Sequence, residues 1–183
     1  MREYQVAVMV GSLRQGSINR QFAQALTRMV PAHVQLQLVE LGQLPLYNAD
    51  DDGKEVAATL QFRDAVRAAD AVLFVTPEYN RSIPGVLKNA LDQGSRPYGH
   101  SVWEGKPAAV IGLTPGATGT AMAQQHLRNV LSYFNMPTMM QPEAYIQAGD
   151  DFFTADGQIT ERSQRFVQKF VDQFVAWVAQ HRP

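Results

Sequence analysis

The stretch Gln5-Val6-Ala7-Val8-Met9-Val10-Gly11-Ser12-Leu13-Arg14-Gln15-Gly16-Ser17-Ile18-Asn19-Arg20 decides the reading of this chain. Gln5 to Val10 is a short apolar run with β-branched residues, the pattern of a strand buried on both faces. A polar loop with two glycines follows at once. From Ile18 onward Phe22, Ala25, Leu26 and Met29 fall at helical spacing, predicting a helix to Val30. Gly11 and Gly16 let main-chain N–H groups approach an anion closely, while the hydroxyls of Ser12 and Ser17 and the amide of Asn19 offer hydrogen bonds. The helix that starts here points its positive dipole end at the loop. This is the construction of a phosphate cradle. Gly11 and Gly16 are spaced as in a P-loop, but Ser17 stands where that motif has lysine and Ile18 where it has serine or threonine, which disfavours nucleoside triphosphate hydrolysis. There is no G-x-G-x-x-G, so the dinucleotide fingerprint is missing as well, and a monophosphate ligand remains.

Outward from this segment, Val34 to Leu41, Ala71 to Val75, Ala108 to Leu113 and Ala144 to Gln147 read as further strands. Between and after them, helices are expected at Glu55 to Ala69 (with Val56, Leu60, Ala65 and Val66 inward), Pro84 to Leu91, Ala121 to Phe134 and Glu161 to Ala179. The last carries Phe166, Val167, Phe170, Val171, Phe174 and Val178 on one face. Strand and helix alternate throughout, which predicts an α/β doubly wound sheet of five parallel strands, flavodoxin-like in order 2-1-3-4-5, with helices on both faces. The length suits a single domain over 1–183, with no repeat or linker. Ligands of such sheets bind beyond the carboxyl ends of the strands, where strand order reverses. The chemistry is therefore expected after strands one, three and four. The stretch Gln43 to Gly53 reads as a loop, and its run Asp50-Asp51-Asp52 as a solvated helix-entry turn rather than a cation site.

Composition removes several other classes. Sixteen basic against seventeen acidic side chains give a formal charge of −1, which lends no support to a nucleic-acid partner. The longest apolar run, Pro107 to Leu113, is far short of the roughly 18 residues of a membrane span. Met1-Arg2-Glu3-Tyr4 runs directly into the first strand without the apolar stretch of a secretory signal, so a cytoplasmic location is expected. The chain has no cysteine, which removes thiol nucleophiles, disulfide exchange and cysteine metal sites. His33, His100, His126 and His181 never fall at metal-ligand spacing, and no metal is assigned. The nucleophile elbow G-x-S-x-G is absent. Redox chemistry would have to come from a bound cofactor.

Two further loops lie at the expected edge. Thr76-Pro77-Glu78-Tyr79-Asn80-Arg81-Ser82-Ile83-Pro84-Gly85 follows the third strand, with Ser82 expected to cap the next helix and Pro84 near its first turn. Capping does not explain Glu78, Tyr79 and Asn80 beside the phosphate cradle; a planar ring packed there, bonded by main-chain N–H groups, does. After the fourth strand, Thr114-Pro115-Gly116-Ala117-Thr118-Gly119-Thr120 adds a third polar loop.

These segments resemble the NAD(P)H-dependent FMN reductase family, flavodoxin-like flavoproteins that include bacterial soluble quinone and chromate reductases. The resemblance covers nearly the whole chain, weakest after Gly149. It rests on Gly11-Ser12-Leu13-Arg14 with Ser17 and Asn19, on Pro77-Glu78-Tyr79-Asn80 with Ser82-Ile83-Pro84-Gly85, and on Leu87-Lys88-Asn89-Ala90-Leu91-Asp92. It implies that Ser12, Arg14, Ser17 and Asn19 hold the FMN phosphate, that Pro77, Glu78, Tyr79 and Asn80 border the isoalloxazine ring and ribityl chain with Ser82 close by, and that Thr114 is the small hydroxyl residue after strand four. The position after Asn19 varies among relatives, so Arg20 is not assigned. Gly119-Thr120 stands where a glycine pair is common, and Gln93 where an aromatic residue is common.

The resemblance implies that NADPH or NADH reduces FMN, which then reduces a quinone or another small oxidant. The protein positions the cofactor, and no side chain is assigned as a catalytic acid or base. The rival reading is a flavodoxin-type electron carrier without enzymatic activity, but strong acidity and a threonine-rich first loop are missing. A response-regulator-like switch would need acidic residues where Gly11 and Ser12 stand. The family also implies a homodimer or homotetramer. Gly94 to Trp103, with Tyr98, Trp103 and Arg96 in one loop, has an interface-like composition.

Overall fold

The computed structural model describes residues 3–182; Met1 and Arg2, at the approach to the first strand, and Pro183 lie outside them. The order is β1 (Tyr4–Val10), α1 (Ile18–Leu26), β2 (Val34–Val39), α2 (Ala57–Ala68), β3 (Ala71–Val75), α3 (Gly85–Gly94), β4 (Ala108–Thr114), α4 (Ala121–Tyr133), β5 (Tyr145–Gln147) and α5 (Glu161–His181). The strands are parallel and ordered β2-β1-β3-β4-β5, the flavodoxin-like topology expected.

Because side chains alternate along a strand, each central strand feeds two cores. On one face Val6, Val8 and Val10, Leu73 and Val75, and Ile111 and Leu113 pack with Phe22 and Leu26 of α1 and Phe170 and Phe174 of α5. On the other, Ala7 and Met9, Val72 and Phe74, and Ala108 and Val110 pack with Phe62 and Val66 of α2, Leu87 and Leu91 of α3, and Leu127 and Leu131 of α4. The continuous apolar runs are thus explained by burial on both sides of the sheet.

Several local expectations are corrected. α1 stops at Leu26, since Thr27, Arg28 and Met29 donate to carbonyls three residues back and tighten the chain ahead of Pro31. α2 buries Thr59, Phe62, Arg63 and Val66, while Val56 and Leu60 face solvent. Arg63 is tolerated inside because its Nε donates to the Gln93 carbonyl at 2.9 Å and its Nη1 to Glu55 at 2.7 Å. α3 runs on to Gly94, beyond Leu91, and Pro84 rather than Ser82 is its N-cap residue, with no side-chain cap bond. In α5 Phe166 is exposed, one position off the Val167, Phe170, Val171, Phe174, Val178 stripe. Trp103 is wholly buried among Phe62, Phe74 and Phe134, its indole N–H on the Leu91 carbonyl at 2.9 Å, so it is a core residue, whereas Tyr98 is exposed. The Asp50 run enters a single 3-10 turn, Ala49–Asp51, capped by the Asn48 side chain. Among the described residues no helix is long and apolar enough to cross a membrane.

Candidate functional site

At the carboxyl edge of the sheet the chain crosses itself at close quarters. Thr76 still donates to the Ile111 carbonyl at 3.0 Å, but Pro77 has no N–H to extend the ladder, and the loop after β3 turns away over β4. A Cβ on Gly112 would lie 1.9 Å from the Thr76 carbonyl oxygen, so this strand glycine is required by the crossing. A Cβ on Gly11 would meet Thr76 Oγ1 at 2.8 Å and Pro77 Cδ at 3.3 Å, which brings the loops after β1 and β3 into direct contact.

Asn19, 2% exposed, ties α1 to β4: its Nδ2 donates to the Leu113 carbonyl at 2.9 Å and its Oδ1 accepts from the Leu113 N–H at 3.0 Å. Leu113 lies two residues past Ile111, so its peptide groups face the side where β3 has already left the sheet. Asn19 therefore completes the ladder that Pro77 ends. In the first loop Ser17 is the N-cap of α1 and accepts from the Arg20 N–H at 3.2 Å, while the Ser12 hydroxyl accepts from the Arg14 N–H at 3.4 Å. The main-chain N–H groups of Ser12, Leu13, Gln15, Gly16, Ile18 and Asn19 meet no acceptor among the described residues. Gly16, at φ 68°, provides the left-handed turn that gathers them. Arg14 is exposed and forms no ion pair among these residues, whereas Arg20 pairs with Glu40. Unpaired donors, a helix start and a free guanidinium make this loop suited to a phosphate.

The loop after β3 directs two of its side chains elsewhere. The Glu78 carboxylate accepts from the Met122 and Ala123 N–H groups at 3.0 and 3.1 Å, capping α4, whose own N-cap residue Thr120 makes no such bond. Ser82 Oγ lies 2.9 Å from His126 Nδ1 on α4. Tyr79 and Ser82 exchange two main-chain hydrogen bonds, closing a turn over Asn80 and Arg81. Tyr79 is about half exposed. After β4, Thr114 Oγ1 accepts from the Gly116 N–H at 3.2 Å, and the wholly buried Thr120 accepts from the Gln124 amide at 2.9 Å. Gln93, in place of an aromatic residue, is buried and donates to the Pro45 carbonyl at 3.0 Å.

The edge thus brings together the main chains of Gly11, Ser12, Arg14, Ser17, Asn19, Pro77 and Thr114. The side chains of Glu78 and Ser82 turn instead to α4. Sequence reasoning missed Gly112, though a glycine inside an apolar strand signals close main-chain approach. It also missed His126, which reaches the site only through the packing of α4.

The family profile described as NADPH-dependent FMN reductase matches residues 4–151. A quinone reductase of Pseudomonas putida is 49% identical over 180 residues, covering 98% of this chain and 97% of its own. A 2-hydroxy-1,4-benzoquinone reductase of Burkholderia sp is 48% identical over 178 residues, covering 97% of each. Among solved structures, FerB of Paracoccus denitrificans, described as a flavoenzyme NAD(P)H:(acceptor) oxidoreductase, superposes with a TM-score of 0.94 at 44% identity, over 98% of this chain and 100% of that one. An oxidoreductase of Corynebacterium diphtheriae, at 20% identity and a TM-score of 0.71 over 100% and 98% of the two chains, shares the fold. With the cradle, the sheet order and this match over most of its length, the chain belongs to the NADPH-dependent FMN reductase family.

Proposed function

We propose that this chain is an FMN-dependent oxidoreductase that takes electrons from NADPH or NADH and passes them to quinones or other small oxidants. The observation that carries the reading is the first loop: six main-chain N–H groups that meet no acceptor among the described residues, at the start of α1, beside Arg14, which is unpaired among those residues. Bound FMN would supply the two-electron chemistry, accepting a hydride from the nicotinamide and releasing electrons to the quinone. Gly11, Ser12, Arg14 and Ser17 hold its phosphate, and Asn19 sets that loop by fixing α1 to β4. The main chain of Pro77, Glu78, Tyr79 and Asn80 borders the ring and ribityl chain, with Ser82 and Thr114 alongside. Glu78 acts through α4, holding the third loop in place. No side chain is assigned a proton-transfer role. The names of the Pseudomonas and Burkholderia relatives support quinones as acceptors, and that of FerB supports both nicotinamide donors.

The chain works in the cytoplasm, and it assembles as a homodimer or homotetramer. A cleft of about 1050 Å³ bordered by α3 and α4 exposes Tyr98 and Tyr133, 89% and 83% accessible, and large exposed aromatics of this kind favour association.

Steady-state turnover with NADH and NADPH against a panel of quinones, with and without added FMN, tests the proposal. Quinone-dependent nicotinamide oxidation that requires FMN is expected. Absence of turnover with every quinone would contradict it.

A further inference from the structure

We propose that Arg81 binds a phosphate group of the nicotinamide dinucleotide, an inference that rests on NAD(P)H being the electron donor. Tyr79 and Ser82 exchange main-chain hydrogen bonds of 2.9 Å each way, so only Asn80 and Arg81 make the turn between them. Both are left-handed, Asn80 at φ 51° and Arg81 at φ 64°. This is the two-residue turn that favours the sequence Asn-Gly. Asn80 is the residue the turn calls for. Arg81 is not, because its Cβ crowds the backbone in this conformation and a glycine would relieve the strain.

An arginine held where the backbone favours glycine points to work by its side chain, and that work is not internal. Arg81 is exposed, and among the described residues it makes no ion pair and no side-chain hydrogen bond. Arg20, Arg63 and Arg67, by contrast, each find a carboxylate. The nearest acid in the same loop, Glu78, already has its carboxylate on the main chain of α4. The guanidinium is therefore free for an anion from outside, at the edge where the three ligand loops meet.

The reaction narrows the choice of anion. The FMN phosphate has its own cradle after β1, and a quinone carries no phosphate. The dinucleotide has a pyrophosphate and, in NADPH, a 2′-phosphate, either of which matches the planar fork of a guanidinium. The exposed ring of Tyr79 on the same turn offers a face for one of its heterocycles.

Titration of NADP+ and NAD+ onto the FMN-loaded protein, with its melting temperature, tests this in wild type, Arg81→Gly and Arg81→Lys. Arg81→Gly should raise the nucleotide dissociation constant about tenfold, the scale of one charge-assisted hydrogen bond. It should also melt about 2–4 °C higher through relief of strain, with FMN content and the quinone KM unchanged. Arg81→Lys should keep most of the affinity without the gain in melting temperature. Loss confined to NADP+ assigns the 2′-phosphate; equal loss for both assigns the pyrophosphate. A stabilised Arg81→Gly that binds both nucleotides as wild type does would overturn the proposal, as would a lower melting temperature or loss of FMN. Wild type that binds neither nucleotide would overturn the donor reading itself.

Discussion

At the scale of the residue, Arg14 and Asn19 divide the work at the first loop in different ways. Arg14 is exposed and makes no ion pair among the described residues, so Arg14→Ala is expected to leave unfolding by urea within about 0.5 kcal/mol of wild type. The same change should cost roughly 1.5–3 kcal/mol of FMN affinity, the range for hydrogen bonds to charged groups, while riboflavin binding stays nearly unchanged. Equal losses for both flavins would mean that the loop has collapsed. Asn19 is the opposite case. Asn19→Ala would leave the buried Leu113 N–H and carbonyl without their partner, and urea titration should show a loss of about 2–4 kcal/mol. The types of residue at this loop were legible in the sequence because glycine, serine and a helix start have local consequences. The role of Asn19 was not, because its partner is 94 positions away and is exposed only by the departure of β3 at Pro77.

At the scale of the element, α4 depends on a side chain from another loop. Glu78→Ala removes the acceptor for the Met122 and Ala123 N–H groups and should destabilise the protein by about 1–2 kcal/mol, as loss of a helix cap does. Nothing near α4 in the sequence announced this, since a cap is ordinarily sought within a few residues of the helix start. β1, β3 and β4 were legible to within a residue because burial on both faces writes a continuous apolar run, which Ala71–Val75 shows fully; the half-buried edge strand β2 ends at Val39, short of the Leu41 its alternation suggested. α2 was legible as a helix but not in its facing, because Arg63 belongs inside only once Glu55 and the Gln93 carbonyl are there to receive it. The Arg63 hydrogen bond holds the Glu55 carboxyl below its usual range. Unfolding therefore raises that affinity for protons, so this contribution is full above the ordinary carboxylate range and is lost as pH falls through the lowered value. The urea midpoint of Glu55→Gln should accordingly fall less steeply than wild type between neutral and acid pH, and parallel curves would remove this role.

At the scale of the whole molecule, the three loops meet at one edge of one sheet, and this shapes the kinetics expected of the reaction. Nicotinamide and quinone should use the same exposed side of the flavin in turn, giving parallel double-reciprocal plots; intersecting lines would require both to be bound together. The exposed Tyr98 and Tyr133 predict a dimeric or tetrameric mass by light scattering at micromolar concentration, and a strictly monomeric mass would leave them without that role. Trp103 shows why loop composition alone misleads here: an aromatic between Gly94 and Lys106 reads as a surface anchor until Phe62, Phe74 and Phe134 are seen to enclose it. The most direct measurement is the absorbance of the FMN-loaded protein under anaerobic conditions, first with NADH or NADPH and then with a quinone. The flavin band should bleach on adding nicotinamide alone and return on adding quinone. A band that persists until a separate reductase protein is supplied would make the chain an electron carrier and contradict its assignment as an oxidoreductase.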